Sequence, residues 1–426
     1  MKHVIVIGGG MSGLASAYLL SKKGIGVTLI EKEPELGGLA SSFVYRNKIL
    51  PQSYHHILSK DKALVSMLKE LGVYPKVRWK HIKLVFWINK RYYNLANPID
   101  LIAAPMGITD KIRFVHFMLR CFAKNEWSGL NRVNAKKWLD SWANSNIRET
   151  IFEPMCNIKF GVSTEQLSAS WLGARIHARE GSSLFGYVPG INWAYLIVKR
   201  FEHEITKNGG RIIKGTAVKK LLVNNNKVTG VVVKKKTLRC DIIISTMPTC
   251  ELSRIIDKPI APKIEYVNTV SCIVGTKQDI GDFYWMVCLK PRMSFGGIFQ
   301  LSSLNKNIGV AKENVINFFT NVNSGDKLLE RSDREIFEIY ADDFKSMTGI
   351  ELKPSWCKVF KINNSSPKFV KGYPNPKTET SVDGLYLAGA YKEYPMLTST
   401  GTAIYSGLKT AKIILHKLCK CQDCLD

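Results

Sequence analysis

The sequence predicts an α/β fold in which three distant segments combine into one domain and a second, α+β part is inserted between them. The first segment carries the apolar run Val4–Ile7, which leads into a glycine-rich turn and a small-residue helix. The second is a set of β-branched runs that ends in the strand Ile242–Ser245. In the third, the apolar strand Leu385–Ala388 precedes a helix from about Thr402. Each segment therefore supplies a strand next to a turn or helix.

The first segment predicts a βαβ unit with a phosphate-binding corner. A helix from about Ser12 to Lys23 follows the turn, and strand Val27–Glu31 comes next. The glycines have the spacing Gly8-x-Gly10-x-x-Gly13. Gly8 permits a tight turn, Gly10 lets the backbone approach a pyrophosphate, and Gly13 lets the helix pack closely on the sheet. The free N–H groups at the start of such a helix favour phosphate charge.

An acidic residue and a second glycine pair extend this corner. Glu31 ends the second strand 23 positions after Gly8, where an acid binds the ribose hydroxyls of a dinucleotide. These features predict a dinucleotide site but leave NAD and FAD open. The pair Gly37–Gly38 offers further backbone N–H groups to pyrophosphate and ribityl. NAD sites rarely need this second clamp, so the pattern favours FAD.

The segments "GGGMSG … LIEKEPELGGLASS" and "DGLYLAGAYKEYPMLTSTGTAIYSGLKTA" resemble the flavin motifs of one large family. It includes amine oxidases, protoporphyrinogen oxidases, phytoene desaturases and, more distantly, UDP-galactopyranose mutases. The resemblance is strongest to the protoporphyrinogen-oxidase-like branch of NAD(P)/FAD-dependent oxidoreductases. It implies a Rossmann-like FAD domain of the glutathione-reductase/amine-oxidase type, with an inserted substrate domain. One departure is Leu39, since many members have Arg after the glycine pair, and this weakens an assignment to true amine oxidases.

The resemblance implies a set of FAD contacts along the whole chain. Val218 is expected at the adenine, and the N–H groups of Gly401, Thr402 and Ala403 are expected at the flavin pyrimidine. The complete set of cofactor residues is Gly8, Gly10, Met11, Ser12, Gly13, Glu31, Lys32, Gly37, Gly38, Leu39, Ala40, Val218, Gly389, Gly401, Thr402 and Ala403.

The domains are predicted to be discontinuous. Residues 1–60, 205–260 and 375–418 form the FAD-binding domain, residues 61–204 and 261–374 form the substrate domain, and residues 419–426 form a tail. The tail places Cys419, Cys421 and Cys424 close together. A zinc site needs four ligands, and His416 is the only nearby fourth, so we expect no metal.

Candidate catalytic residues are His55 and His56, which the resemblance places next to the flavin ring. A histidine there can bind the flavin or a substrate, or move a proton near neutral pH. The alternative is a structural pair. The candidate substrate residues are Tyr187, Arg175, Trp285 and Tyr373. Core packing is the alternative for Trp285 and Tyr373 taken singly, and a charged helix surface is the alternative for Arg175.

The charge pattern bears on partners. The chain has 426 residues and a formal net charge of +26. The densest acid-free stretch, residues 76–93, interleaves Lys and Arg with aromatic residues. This indicates a solvated face with inward aromatics, or contact with an anionic ligand or membrane surface. Since no nucleic-acid motif is present, we expect no nucleic acid. Without a secretory signal or long apolar run, we expect a cytoplasmic protein, in which peripheral membrane contact stays open.

Taken together, the residues and the resemblance imply an FAD-dependent oxidoreductase. An organic small-molecule substrate, anionic or apolar, would give a hydride to flavin N5. Two alternatives stay open: a flavin-dependent UDP-sugar mutase, which the high positive charge and His55–His56 would suit, and a non-catalytic binding protein that keeps the flavin fold.

Overall fold

The computed structural model describes residues 2–178, 184–256 and 260–420. The strands in these ranges are β1 His3–Ile7, β2 Gly26–Ile30, β3 Ser42–Tyr45, β4 Lys48–Pro51, β5 Ile57–Leu58, β6 Arg78–His81, β7 Leu84–Ile88, β8 Arg91–Tyr93, β9 Leu184–Tyr187, β10 Arg211–Ile213, β11 Val218–Asn224, β12 Lys227–Val233, β13 Lys236–Arg239, β14 Ile242–Ser245, β15 Tyr266–Thr276, β16 Trp285–Lys290, β17 Gly297–Gln300, β18 Asn314–Val322, β19 Trp356–Pro367 and β20 Leu385–Leu387. The helices are α1 Met11–Lys22, α2 Lys62–Glu70, α3 Pro98–Ala103, α4 Ile108–Ala123, α5 Ala135–Trp142, α6 Ser145–Ile147, α7 Glu153–Phe160, α8 Ala169–Ala178, α9 Trp193–Lys207, α10 Thr249–Ile255, α11 Leu301–Leu304, α12 Asp333–Thr348 and α13 Thr400–Lys420.

A parallel sheet joins the three distant segments. Its strand order in the described chain is β10-β2-β1-β14-β20. Val4 pairs with Val27 on one side and with Ile242 on the other, and Ile243 in turn pairs with Leu385. The strands are apolar on both faces because both faces of a parallel sheet are covered. The predicted α/β class is confirmed.

Helices and a small sheet cover the two faces of this parallel sheet. On one face α1 packs against α9 and α13, and their apolar residues form one core with Val4 and Val6. On the other face Ile5 and Ile7 pack with residues of the antiparallel sheet β11-β12-β13. Helices α1 and α13 approach each other closely at Gly407. A Cβ at this position would lie 2.2 Å from the Ser12 carbonyl oxygen.

The second part is built around a mixed sheet with the order β19-β15-β18-β17-β16-β7-β8. Pairing is antiparallel except between β16 and β7. Helix α7 packs on β16 and β18, and α12 packs against β19. One face of this sheet shares a core with α4, α5 and α8, and the other shares a core with α12.

Two helices bear on the predicted domain boundaries, which stay a prediction. Helix α2 and all but the last three residues of α9 fall in the range assigned to the substrate domain, yet their apolar residues belong to the core of α1 and the parallel sheet. Among the described residues, no helix is both long and apolar enough to cross a membrane. Of the tail cysteines, Cys419 is exposed, while Cys421 and Cys424 lie outside the described residues.

Candidate functional site

The glycine-rich turn after β1 is packed against its own neighbours. Gly8 has φ 105°, a conformation that favours glycine, and a Cβ there would lie 2.2 Å from Thr246 Oγ1. Its N–H donates to the Ile30 carbonyl at 2.8 Å. A Cβ at Gly13 would lie 1.9 Å from the Gly8 carbonyl oxygen. Both positions therefore need glycine for the turn itself, whatever binds there.

Gly10 differs from these two glycines because the space in front of it is open. It is the residue before α1, with φ −73°, and no side chain caps the helix among the described residues. A Cβ at Gly10 would meet Gly38 Cα at 3.9 Å and nothing closer. The first N–H groups of a helix have no partner within it and carry partial positive charge. This end of α1 thus fits a pyrophosphate, the group for which Gly10 was predicted.

The second glycine pair adjoins the first loop. The Gly37 N–H donates to the Gly9 carbonyl at 2.9 Å, and Gly10 and Gly37 form a parallel bridge. A Cβ at Gly38 would lie 3.0 Å from Gly10 Cα. The short 3-10 turn that follows buries Ala40 and leaves Leu39 exposed. The structure brings the two predicted clamps together at one helix end.

Glu31 is fixed beside these loops. It is only 7% exposed, and its carboxylate accepts the N–H of Gly9 at 2.5 Å and the N–H of Glu33 at 2.8 Å. Each carboxylate oxygen keeps a lone pair for a further donor. The Thr216 N–H donates to the Glu31 carbonyl, which places the start of β11, with buried Val218, along the end of β2.

Lys32 lies near a different carboxylate, that of Glu251. Its ammonium lies 3.8 Å from a Glu251 carboxylate oxygen, and its side chain is largely exposed.

The C-terminal motif lies against α1. Gly389 follows β20, and its N–H donates to Ser406 Oγ of α13 at 3.0 Å. In the first turns of the two helices, the Ser12 hydroxyl donates to the Ala403 carbonyl at 2.7 Å. The start of α13 is therefore next to the open end of α1.

The N–H groups at the start of α13, which were predicted to meet the flavin pyrimidine, have acceptors within the protein. The Thr402 N–H donates to Ser399 Oγ at 3.0 Å, and the Ala403 N–H donates to the Ser399 carbonyl at 3.1 Å. The Gly401 N–H is directed at the Asp61 carboxylate, to which a Cβ on Gly401 would come within 1.8 Å. All three groups have protein acceptors, so a flavin ring at this helix would have to share them.

Asp61 was not among the predicted site residues, although it connects two helices. It caps α2 by accepting the Leu64 N–H at 3.1 Å, and it accepts the Ser399 hydroxyl at 3.1 Å. Burial raises the pKa of its carboxyl, and the hydrogen bonds from Leu64, Ser399 and Gly401 oppose this rise. An Asp before an amphipathic helix is a recognisable N-cap signal, but its contact with α13 is not visible in the sequence.

His56 lies within a group of rings that we call the aromatic cluster: Tyr54, Phe185, Tyr284, Trp285 and Phe299. His56 Nδ1 is 3.1 Å from the Tyr284 hydroxyl, and its ring centroid is 4.9 Å from that of Phe185 and 6.0 Å from that of Trp285. The structure thus brings together two predicted residues, His56 and Trp285.

Tyr187 belongs to the neighbouring strand pairs. It lies in β9, where it pairs with Arg78 of β6, while the adjacent Gly186 pairs with Ile57.

His55 faces a different environment. Its Nδ1 is 3.2 Å from the Ser53 carbonyl oxygen. Since a carbonyl only accepts, Nδ1 must carry the proton, which leaves Nε2 as an acceptor in the neutral ring. Burial lowers the pKa of His55, and the hydrogen bond to Ser53 opposes this. His55 is therefore set as a neutral imidazole near pH 7.

Tyr373 and Arg175 lie in a separate group of rings. The Tyr373 hydroxyl donates to the Tyr391 carbonyl at 2.5 Å, and burial raises its pKa. The Arg175 guanidinium lies over Trp171 at 5.4 Å from the ring centroid. Phe369 links the two, as its ring stacks on Trp171 at 4.9 Å and lies 4.8 Å from Tyr373. Here Tyr373 braces the loop after β20.

A buried ion pair in the same loop was not predicted from the sequence. Lys392 and Glu393 are 4% and 5% exposed, and their charged atoms are 2.9 Å apart. The Glu393 carboxylate also accepts the Ser406 hydroxyl at 2.9 Å and the Lys409 ammonium at 3.1 Å. Burial alone would raise the Glu393 pKa, but Lys392 and these other donors hold it below its ordinary value. The pair ties the loop after Gly389 to α13.

Comparisons with known proteins agree with this architecture. Protoporphyrinogen oxidase 2 of Arabidopsis thaliana is 28% identical over 106 residues, which are 24% of this chain and 21% of that protein. The chain thus matches about a fifth of the length of that relative. Coproporphyrinogen III oxidase of Bacillus subtilis is 31% identical over 78 residues, 17% of each chain.

Among solved structures, a candidate protoporphyrinogen oxidase from Exiguobacterium sp. 255-15 matches with a TM-score of 0.79 at 14% identity, covering 98% of this chain and 99% of that one. Reduced UDP-galactopyranose mutase matches with a TM-score of 0.76 at 14% identity, covering 98% and 96%. At such identities the likeness shows a shared fold. The family model for flavin-containing amine oxidoreductases matches residues 11–415, so the resemblance inferred from the glycine motifs is confirmed. Because this match spans nearly the whole sequence, the chain belongs to the flavin-containing amine oxidoreductase family.

Proposed function

We propose that this protein is an FAD-dependent oxidoreductase that oxidises an organic small molecule, in the manner of protoporphyrinogen oxidases and their relatives. The observation that carries this proposal is the open helix end at Gly10, flanked by the Gly37–Gly38 loop, in a chain whose family match spans residues 11–415. A bound flavin would supply the redox chemistry, as the acceptor of a hydride at N5 from a substrate C–H bond and the donor of electrons to oxygen or another acceptor.

The choice of FAD over FMN rests on the residues beyond the pyrophosphate. Glu31 and the start of α13 both adjoin the start of α1, through the Gly9 N–H and the Ser12 hydroxyl. The Glu31 carboxylate suits ribose hydroxyls, since each oxygen has one backbone donor and room for another. Val218 supplies an apolar surface beside that strand end. FMN has no adenosine to use these groups.

The aromatic cluster supports a substrate that is apolar or aromatic in part. The buried rings of Phe185, Tyr284, Trp285 and Phe299 exclude water, and the part-exposed rings of Tyr54 and His56 offer flat surfaces to a conjugated substrate. A nucleotide sugar fits this cluster less well, because its diphosphate is held best by cationic donors and the cluster consists of aromatic rings. Within the cluster, the hydrogen bond between His56 and Tyr284 provides a chain along which a proton can move. His55, kept neutral, can accept a hydrogen bond through Nε2.

Two measurements test the proposal. The first releases the bound cofactor from purified protein and identifies it by chromatography, and FAD is the expected result. The second follows oxygen uptake or reduction of a dye with porphyrinogens and amines as substrates. The matched assay adds UDP-galactopyranose to chemically reduced protein. Isomerisation of that sugar without net redox change contradicts the oxidoreductase assignment. Protein that stays colourless after incubation with FAD contradicts both the cofactor and the enzyme assignment.

A further inference from the structure

The most apolar exposed surface lies at one edge of the second part. Among the described residues, twelve large hydrophobic side chains are exposed, and seven of them fall between residues 92 and 119. We call these seven the α3–α4 apolar face: Tyr92, Ile99, Ile102, Ile108, Ile112, Val115 and Leu119. Helix α3 contacts both β8 and α4, so these residues lie on adjoining elements. A concentration of this kind marks an interaction surface, whereas scattered exposed residues do not.

Helix α4 has two apolar sides, of which the protein uses one. Phe114, Phe117 and Cys121 are buried in the core. Ile108, Ile112, Val115 and Leu119 follow each other at intervals of four, three and four residues and are exposed. At about 100° per residue, these four fall within a sector of roughly 60° on the side opposite the buried residues. A surface helix needs only one apolar stripe to pack on its core, so the second stripe requires another partner.

The charges around this face are strongly positive. Residues 76–124 contain ten Lys or Arg against two Asp. Lys90 and Arg91 are exposed beside Tyr92, and Arg113 and Arg120 are exposed on α4. Both acidic groups are engaged locally, since Asp100 accepts the Asn94 N–H and Asp110 accepts the side-chain amides of Asn144 and Asn146. The surface thus combines apolar side chains with a cationic surround.

We propose that the α3–α4 apolar face docks the protein onto an anionic lipid bilayer, with α4 lying in the membrane interface. Apolar side chains enter the headgroup region while Lys and Arg meet lipid phosphates, which is the pattern of interfacial amphipathic helices. A second copy of the chain is a poorer occupant, because it would bring like charges together in a protein of formal net charge +26. The arrangement implies contact with one leaflet, since α4 would lie along the membrane surface.

The test is flotation of the purified protein with lipid vesicles. We expect binding to phosphatidylcholine vesicles that contain phosphatidylglycerol, weaker binding to phosphatidylcholine alone, and release by high salt. The double variant Ile108→Gln/Ile112→Gln should lower the partition coefficient by about tenfold or more, since it removes apolar surface. The variant Arg91→Gln/Arg113→Gln should weaken binding to the anionic vesicles selectively.

Val44→Gln is the matched control for the apolar substitution. Val44 is 70% exposed, as Ile108 is 69% exposed, and its strand β3 lies near β19, at the opposite edge of the sheet from β8. Its vesicle binding should equal that of wild type. The proposal is overturned if wild type stays unbound at low salt, or if the isoleucine variant binds as wild type does. It is also overturned if that variant instead converts a dimer into a monomer. Melting temperatures of all variants establish that they are folded.

Discussion

The glycine-rich turn allows a sharp separation of cofactor binding from folding. Alanine at Gly10 meets no protein atom closer than 3.9 Å, and the φ of −73° suits any residue. Alanine at Gly13 would place its Cβ 1.9 Å from the Gly8 carbonyl oxygen, which forces the backbone to shift. The two substitutions add the same methyl group three residues apart. We therefore expect Gly10→Ala to remove flavin from an intact fold and Gly13→Ala to damage the fold itself.

Gly10→Ala should mainly lose the stabilisation by bound flavin, whereas Gly13→Ala should lose stability of the apoprotein. Replacing a glycine N-cap with alanine costs about 1 kcal/mol or less, so the Gly10→Ala apoprotein should melt within about 2–4 °C of wild type. A ligand at about 100 times its Kd stabilises a protein by about 2.7 kcal/mol, and this gain should be lost in Gly10→Ala because the methyl group occupies the space of the pyrophosphate. At Gly13, overpacking costs about 1–3 kcal/mol and is only partly offset by the higher helix propensity of alanine.

The assay is a thermal melt of each apoprotein with and without added FAD, together with the flavin content of the purified proteins. Wild type should gain melting temperature on adding FAD, Gly10→Ala should gain almost none, and Gly13→Ala should melt lower from the start. Wild-type flavin content in Gly10→Ala would refute the site. So would an apoprotein melting temperature for Gly10→Ala as low as that of Gly13→Ala, because the open space at Gly10 would then not exist.

Three further predictions concern residues near the start of α13 and the aromatic cluster. Glu393→Gln leaves the Lys392 ammonium buried without its anion and should lower the free energy of unfolding in urea by about 3–5 kcal/mol. Lys409→Gln removes only the half-exposed partner and should lower it by about 1 kcal/mol or less. Equal losses for the two variants would contradict the buried pair. Because burial raises the Asp61 pKa, the folded state holds that proton more tightly than the unfolded chain, so its ionisation weakens the fold as pH rises through the raised pKa. Asp61→Asn should therefore gain stability relative to wild type at about pH 7 and lose that advantage towards about pH 4, and a melting-temperature difference independent of pH would argue against it. His56→Ala should lower turnover by about a hundredfold or more at unchanged flavin content. Tyr284→Phe should add little further loss in the double variant, because both substitutions remove the same hydrogen bond; unchanged kinetics would remove the pair from the mechanism.

The local parts of the cofactor site could be predicted because their geometry is carried by neighbouring residues. The strand boundaries Val4–Ile7 and Ile242–Ser245 differ from the observed strands by one residue at most. The glycine spacing predicted which position must stay open, and Gly10 is the open one. In each case a short stretch of apolar periodicity or a turn residue contains the whole signal.

The missed features depend on contacts between residues far apart in the chain. Asp61 was recognisable as a helix cap, yet its contact with Gly401 joins residues 340 positions apart. Lys392 and Glu393 are adjacent charges of the kind that usually lies on the surface, and their burial follows from the approach of α13. Of the predicted substrate residues, Trp285 lies beside His56, while Tyr373 packs under a loop.

By itself, the sequence determined the α/β class, the glycine-rich corner after β1, the resemblance to a flavin family and the excess of positive charge. The class, the corner and the charge follow from local backbone preferences and composition, which act before the chain is folded. The family likeness follows from the resemblance of the glycine motifs. Only the tertiary structure decided which acceptors the start of α13 has, which rings surround His56, and which side of α4 is left uncovered. Periodicity shows that a helix has apolar sides, but burial of one side is settled by what else packs against it. That is why the surroundings of His56 and the proposed docking face could be identified only from the structure.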